Sequence, residues 1–236
     1  MLRVMPTPTL LILPGLLEDA DAFEHQIVAL REGATVLAAD LTRGESMQEL
    51  ARHALEQAPD GPLAVMGHSM GGYVALELLR QAPGRVERVA FVNTNARPDT
   101  PESTANRRRL MELAEKDFPA VINTLLPKLV TPAHMAEVGI SGKITEMALA
   151  TGKEAFMRQE KAIIGRADSR PFLKEIRCPA LVVAGDQDQL MPVEVLKELA
   201  DGIPGARLEV VKDSGHMTSI EQPAALTRLL RDWLAA

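Results

Sequence analysis

The sequence predicts an α/β fold in which helices flank a mostly parallel β-sheet. Three observations support this prediction: β-favouring apolar runs alternate with helical patterns, one of these runs passes into a helix through a tight glycine turn, and a single all-helical stretch interrupts the alternation. The apolar runs predict strands at residues 9–13, 34–38, 63–66, 89–93, 180–184 and 207–211.

The intervening segments predict helices that cover the faces of this sheet. Amphipathic spacing places them at residues 20–31, 46–57, 70–81, 193–201 and 223–234. Ser46, with Glu49 three places on, is a suitable N-cap, and Pro192 and Pro223 suit a first helical turn. Both kinds of signal indicate where the helices begin.

Length and composition are those of an ordinary globular protein. The chain has 236 residues, 46% of them hydrophobic and 25% charged, which is enough for one domain with a substantial core. A net charge of −6 and a pI of about 5.5 argue against a nucleic-acid partner. No apolar run approaches the roughly 20 residues of a membrane span.

The N-terminal stretch and the cysteine content indicate where the protein works. Residues 1–15 contain a short apolar run, but Pro6, Pro8 and Pro14 interrupt it and no A-x-A site follows, so a first core strand is expected rather than a signal peptide. Cys178 is the only cysteine, so no intrachain disulfide can form. A reducing cytoplasm is the expected compartment.

The alternation of strands and helices stops between residues 95 and 170. This segment is punctuated by five prolines and contains no convincing strand. We expect a helical lid at 95–170, inserted into a core made of residues 1–94 and 171–236, and lying over the carboxyl ends of the strands. Its abundant apolar residues either line a pocket or pack the lid against the core; those considered are Met111, Phe118, Ile122, Leu125, Leu126, Leu129, Met135, Met147, Phe156 and Met157.

The tight turn follows the apolar run at 63–66 and reads Gly67-His68-Ser69-Met70-Gly71-Gly72. A serine on such a strand-to-helix turn has its hydroxyl exposed, and small residues two places before and after it avoid collisions with the crossing backbone. Gly67 and Gly71 meet this requirement. The pattern lacks the Lys-Ser/Thr pair of a phosphate-binding loop. Ser69 is therefore a candidate nucleophile.

A serine nucleophile needs a base, usually a histidine held by a carboxylate. His216 follows the strand at 207–211 and precedes the last helix, which places it on the same rim of the sheet as Ser69. His68 should point away from the neighbouring hydroxyl. Surface or packing roles are expected for the remaining histidines, His25, His53 and His134.

The carboxylate is expected after the strand at 180–184, in the sequence Gly185-Asp-Gln-Asp-Gln-Leu-Met-Pro192. Asp186 and Asp188 are both candidates, and either could instead form the turn. Spacing alone does not separate them.

Taken together, the motifs LPG, GHSMGGYVALEL, AGDQDQLMP and SGHM resemble the α/β-hydrolase superfamily, in the form of a small single-domain carboxylesterase with a helical lid. The resemblance covers essentially the whole chain. In that superfamily the acid is the aspartate of a G-x-x-D turn with a proline four places later, which selects Asp188. The resemblance also implies an oxyanion hole formed by the backbone N–H groups of Leu16 and Met70. Pro14 replaces the usual histidine before Gly15, so the loop there must be braced differently.

The resemblance implies a serine hydrolase that cleaves a small, largely apolar ester through an acyl-enzyme, without metal or organic cofactor. Lactonases, thioesterases, C–C bond hydrolases and cofactor-free haloperoxidases share this arrangement and stay open as alternatives, as does a non-catalytic binder of small ligands. The run Arg107-Arg108-Arg109 in the lid is either a solvated helix face or a site for an acidic partner. The sequence does not indicate an oligomeric state.

Overall fold

The computed structural model describes residues 8–236 and contains a six-stranded sheet. Every neighbouring pair of strands is parallel, and the strand order is β2-β1-β3-β4-β5-β6. The predicted α/β fold with a parallel sheet is confirmed. The strands are β1 Thr9–Leu13, β2 Thr35–Ala38, β3 Leu63–His68, β4 Val86–Val92, β5 Ala180–Gly185 and β6 Arg207–Val211.

Helices connect the strands of this sheet and follow the last of them. The helices are α1 Glu24–Leu30, α2 Met47–Gln57, α3 Met70–Gln81, α4 Pro101–Ala114, α5 Phe118–Leu129, α6 Pro132–Met135, α7 Val138–Thr151, α8 Lys153–Ile164, α9 Arg170–Leu173, α10 Val193–Gly202, α11 Thr218–Glu221 and α12 Pro223–Ala235. Short 3-10 turns occupy Ala20–Phe23 and Pro83–Arg85.

The two faces of the sheet carry separate parts of the core. Alternate side chains along each strand point to opposite faces of the sheet. Those on one face, such as Leu11 and Val65, pack with α2, α3 and α10, whereas those on the other face, such as Ile12 and Met66, pack with α1 and α12. Every residue of β3 and β5 is buried. Burial on both faces is why the central strands appear in the sequence as continuous apolar runs instead of alternating ones.

Local signals set most of the element boundaries. The Ser46 hydroxyl accepts a hydrogen bond from the backbone N–H of Glu49, so the predicted N-cap of α2 is present. The helix predicted at 20–31 begins instead as the 3-10 turn Ala20–Phe23, with the Asp19 carboxylate accepting from the N–H of Asp21. Pro192 lies at the N-cap of α10, one residue before the helix.

Between β4 and β5 the described chain contains only helices, α4 to α9. We call residues 101–173 the helical insertion. The division of the chain into a core and a lid stays a prediction. Because all strands are parallel, the loops that follow β1, β3, β4, β5 and β6 meet at one edge of the sheet, where ligands bind in open α/β sheets.

Candidate active site

Ser69 occupies a strained turn between β3 and α3. Its φ of 51° and ψ of −116° lie in a region that residues with a Cβ rarely adopt. A Cβ on Gly67 would lie 2.4 Å from the Gly71 carbonyl oxygen, and one on Gly71 would lie 1.8 Å from the Leu13 carbonyl oxygen. Glycine at both positions therefore allows β3, α3 and the end of β1 to approach closely enough to present the serine at the edge of the sheet.

Three side chains from distant segments form a continuous row of hydrogen bonds. The Ser69 Oγ lies 2.8 Å from His216 Nε2, and His216 Nδ1 lies 2.8 Å from Asp188 Oδ2. Asp188 and His216 are both buried. With Nδ1–H donating to the carboxylate, Nε2 of a neutral imidazole is free to accept the proton of the serine hydroxyl.

Four donors hold the Asp188 carboxylate. Oδ1 accepts from the backbone N–H groups of Leu190 and Met191, and Oδ2 accepts from His216 and from the Asn93 side-chain amide at 2.8 Å. Burial alone would raise the pKa of Asp188, but attraction to His216 and these hydrogen bonds outweigh it and lower the pKa. The carboxylate is therefore ionised at neutral pH.

The apolar pattern predicts Asn93 as the last residue of a strand and does not indicate its place in this site. It lies just past β4, fully buried, with a φ of 48°. Its Nδ2 donates to Asp188, and its Oδ1 accepts from the Thr218 hydroxyl at 2.8 Å. A polar residue directly after an apolar strand was the available signal, because side chains at that position reach the ligand-binding edge.

The other candidate acid, Asp186, lies outside this row. Its Oδ1 accepts from the Ser214 backbone N–H at 3.3 Å, and its Oδ2 lies 3.5 Å from the Lys212 ammonium group. Asp186 therefore joins the loops after β5 and β6.

The backbone N–H groups of Met70, which follows Ser69, and of Leu16, which lines the same cavity, have no acceptor in the part of the chain that the structure describes. Met70 is the first residue of α3, so its N–H has no partner within the helix. Among residues 8–236, neither Met70 N–H nor Leu16 N–H donates to any loop, turn or side-chain acceptor. Both donors are thus available to a negatively charged oxygen, as an oxyanion hole requires.

The loop after β1 is held from both sides. The adjacent Leu17 has a φ of 61°, and its N–H donates to the side-chain oxygen of Gln159 on α8 at 3.0 Å. On the other side, the Gly15 N–H donates to Glu18 Oε2 at 2.8 Å. The Glu18 carboxylate supplies a brace for the loop in which Pro14 stands.

Glu18 also contacts the histidine that precedes the serine. His68 is completely buried, with Nδ1 2.8 Å from Glu18 Oε2 and Nε2 2.8 Å from the backbone carbonyl oxygen of His216. Burial opposes a charge on this ring, but the negative charge of Glu18 and the hydrogen bonds to Glu18 and His216 prevail and raise the pKa of His68. Both ring nitrogens are thus engaged away from the Ser69 hydroxyl.

The remaining histidines lie outside the row of hydrogen bonds from Ser69 to Asp188. His25 Nδ1 bonds the Thr227 hydroxyl and His53 Nδ1 bonds the Arg43 carbonyl, each at 2.8 Å. His134 in the helical insertion lies 2.8 Å from Glu221. Glu221 accepts in turn from the N–H of Gly215, so it connects the insertion to the loop that carries His216.

A cavity of about 340 Å³ lies in front of Ser69 and His216. Apolar side chains from the loop after β1, from the helical insertion and from the loop after His216 form much of its wall; they include Leu16, Leu17, Ile122, Leu125, Leu129, Ile144, Met147 and Met217. Part of the wall is charged. There Arg107 bonds Asp99 and Glu160, and Arg166 bonds Asp99.

The three arginines at 107–109 differ in their surroundings. Arg107 lines the cavity and pairs with Asp99, which it shares with Arg166, and with Glu160, whereas Arg108 and Arg109 are exposed. Burial opposes the charge of Arg107, but the nearby Glu160 raises its pKa, so it stays protonated. The three residues do not form one basic patch.

Within residues 8–236, no group of three or more His, Cys, Asp or Glu side chains could hold a metal ion. Over the same part of the chain, no helix combines the length and the apolar character needed to cross a bilayer.

A parallel sheet with a strained serine turn after one strand, and with an imidazole and a carboxylate after two others, defines the class of α/β proteins built around a nucleophile elbow. The chain belongs to the alpha/beta hydrolase family, whose sequence model matches residues 10–229. The resemblance inferred from the motifs is thereby confirmed, and the protein is a hydrolase by family.

Named relatives include esterases and a lactonase. A pimeloyl-[acyl-carrier protein] methyl ester esterase of Neisseria meningitidis is 27% identical over 192 residues, which cover 79% of this chain and 75% of the relative. A thermophilic esterase from Thermogutta terrifontis superposes with a TM-score of 0.86 at 27% identity, covering 97% of this chain and 91% of that one. An enol-lactonase from Burkholderia xenovorans LB400 gives 0.89 at 27% identity, covering 99% and 94%.

Proposed function

We propose that this protein is a serine esterase that hydrolyses a carboxylic ester of a small, largely apolar substrate through an acyl-enzyme intermediate. The observation that carries the proposal is the row of 2.8 Å contacts from Ser69 Oγ through His216 to Asp188. That row meets the geometric requirement for a nucleophile, its base and the group that orients the base.

In the proposed mechanism, Ser69 Oγ attacks the ester carbonyl carbon while His216 Nε2 takes the hydroxyl proton. Asp188 keeps the proton of the imidazole on Nδ1 and stabilises the imidazolium that forms. The N–H groups of Leu16 and Met70 donate to the developing oxyanion, and each such donor is worth on the order of 10²–10³ in turnover. The imidazolium then protonates the departing alcohol, and His216 activates a water molecule that releases the acid.

The cavity supports a small and mainly apolar acyl or alcohol group. Its volume of about 340 Å³ lies near the lower end of the roughly 300–1,000 Å³ typical of ligand sites. The aliphatic side chains contributed by α5 and α7 favour burial of hydrocarbon, at about 25 cal/mol per Å² removed from water.

We also propose that the helical insertion acts as a lid. Support comes from the residues that the insertion contributes to the cavity wall. A hydrogen bond from the Leu17 N–H to the Gln159 side-chain oxygen also joins the insertion to the loop of the proposed oxyanion hole. A cytoplasmic location fits the single cysteine of the sequence, which leaves no disulfide to depend on an oxidising compartment.

Lactone hydrolysis is the second candidate activity. The enol-lactonase neighbour matches 99% of this chain, and a lactone is a cyclic ester whose opening uses the same nucleophile, base and oxyanion donors. The two activities differ in the shape of the ring or chain that the cavity accepts.

A hydrolysis panel tests the proposal and ranks the two candidates. p-Nitrophenyl esters from C2 to C12, several lactones and several thioesters would be assayed with the wild-type protein, and labelling by a fluorophosphonate would be measured in parallel. We expect fluorophosphonate labelling of Ser69 and turnover of short to medium esters. Absence of both labelling and turnover would support a non-catalytic binder instead.

A further inference from the structure

We propose that Glu18 and His68 form a buried ion pair that positions the catalytic machinery, by tying the oxyanion loop and the backbone of the catalytic base to the nucleophile turn. This inference rests on the proposed function. It assigns a role to two buried titratable groups that the hydrolytic steps do not use directly.

The hydrogen-bond partners of His68 determine its protons. Nε2 faces the carbonyl oxygen of His216, which can only accept, so Nε2 carries a hydrogen. Nδ1 faces Glu18 Oε2, and the same oxygen also accepts the Gly15 N–H at 2.8 Å. A carboxylate has no hydrogen to donate, so in the proposed ion pair Nδ1 supplies the hydrogen of this contact and His68 is an imidazolium.

The surroundings of the ring favour this state. The negative groups near His68 are Glu18, in contact with it, and Asp188 farther away. The His216 ring is tilted against it with centroids 5.1 Å apart, and the Phe23 ring meets it edge-on at 6.0 Å. Because Glu18 neutralises the charge locally, the pair adds little net charge beside the His216 imidazole.

Each end of the pair holds a different part of the machinery. Glu18 fixes Gly15, whose next residue Leu16 carries one proposed oxyanion donor. His68 contacts the backbone carbonyl oxygen of His216 through Nε2 and directly precedes Ser69 in the chain. The ion pair thus sets the distance between the oxyanion loop, the base and the nucleophile, which are supplied by three different strand ends.

Positioning by a charged pair predicts an effect on the rate more than on substrate binding. In Glu18→Gln, the amide oxygen can still accept from Gly15, but the ion pair is lost and His68 no longer holds two protons at neutral pH. In His68→Asn, the bond to the His216 carbonyl is lost or lengthened. We expect kcat to fall by about 10- to 100-fold in each variant, with KM changed less than threefold, as is typical when a group that orients a catalytic residue is lost.

The experiment uses three readouts on the full chain. The first is the rate of Ser69 labelling by a fluorophosphonate, which needs no knowledge of the substrate. The second is kcat for each active site on the best p-nitrophenyl ester, with active sites counted by complete phosphonate labelling, so that an unfolded fraction does not count as slow enzyme. The third is the protonation of the His68 ring at pH 7, followed by nitrogen-resolved NMR of the imidazoles.

His53→Asn is the matched control, because it also removes a 2.8 Å hydrogen bond between a histidine ring and a backbone carbonyl oxygen. His53 lies on α2, away from Ser69. We expect two protonated ring nitrogens on His68, slower labelling in both test variants and unchanged labelling in the control. A His68 ring with one bare nitrogen, or labelling and kcat within twofold of wild type in both test variants, would overturn the inference. Failure of the esterase proposal would appear differently, as absent ester turnover by the wild-type protein.

Discussion

Asn93 offers a sharp test of how Asp188, the acid of the proposed triad, is held. Replacing Asn93 by glycine removes the Nδ2 donor to Asp188 Oδ2 and the Oδ1 acceptor of the Thr218 hydroxyl, which keeps the Gly215 carbonyl oxygen as an acceptor at 3.3 Å. The left-handed backbone conformation stays permitted, since glycine adopts a φ of 48° without strain. Replacing it by alanine removes the same donor and adds a Cβ in that conformation. The pair of variants therefore separates the hydrogen bond from the backbone cost.

The structure sets the expected magnitudes. A hydrogen bond to a charged group contributes about 1.5–3 kcal/mol, so Asn93→Gly should lower the free energy of unfolding by roughly that amount. Alanine should lose about 1 kcal/mol more, because a Cβ disfavours the left-handed region. Asp188 keeps three of its four donors, the N–H groups of Leu190 and Met191 and the His216 ring. We therefore expect kcat to fall about tenfold, far less than the roughly 10⁴-fold loss typical of replacing the triad aspartate by asparagine.

Urea unfolding and ester hydrolysis measure the two effects, with Asp188→Asn as the reference for complete loss of the acid. An Asn93→Gly variant within 0.5 kcal/mol of wild-type stability would show that the amide does not stabilise the carboxylate. A variant as inactive as Asp188→Asn would show that the other three donors do not hold Asp188 in place.

Three further predictions concern the elbow, the buried histidine and the cavity. Gly71→Ala would place a Cβ against the backbone of β1, so it should lower the free energy of unfolding measured in urea by more than about 3 kcal/mol. Gly84→Ala, with open space around the added Cβ, should leave the stability nearly unchanged. Equal stabilities of the two variants would contradict the close approach of β1 to the turn at Ser69. The raised pKa of His68 means that its stabilising contribution is fully present below about pH 6.5 and is lost as pH rises through the folded-state pKa. The unfolding free-energy gap between wild type and His68→Asn should therefore narrow from neutral to alkaline pH, and a constant gap would refute the charged state. Met147→Ala shortens a side chain in the cavity wall, so it should enlarge the cavity and shift the preferred p-nitrophenyl ester to a longer acyl chain. Leu149→Ala, on the exposed side of the same helix, should leave the preference unchanged. If neither variant changed the preference, Met147 would not contact the substrate.

Local patterns were sufficient for the framework of the fold. The central strands are buried on both faces, so their apolar runs stand out in the sequence, and the Ser46 cap marks the start of α2. The glycines around Ser69 also carry a local signal, because the turn needs them whatever the rest of the chain does. These features depend on neighbours within a few residues.

Contacts between distant segments could not be predicted in the same way. The choice between Asp186 and Asp188 depends on which carboxylate faces His216 across 28 residues, and only the resemblance to a family decided it. The brace formed by Glu18 and His68 joins positions 50 residues apart, and nothing in either local pattern indicates it. The same holds for Gln159, which reaches the loop after β1 from α8. The catalytic roles of Ser69, Asp188 and His216 stay predictions that activity measurements will decide.

Steady-state ester hydrolysis by Ser69→Ala, compared with wild type on the best p-nitrophenyl ester, tests the central claim most directly. Loss of the attacking oxygen should lower kcat by about 10⁴- to 10⁶-fold and abolish fluorophosphonate labelling, without unfolding the chain. If the purified variant kept a tenth of the wild-type rate, the hydrolysis would not proceed through this serine.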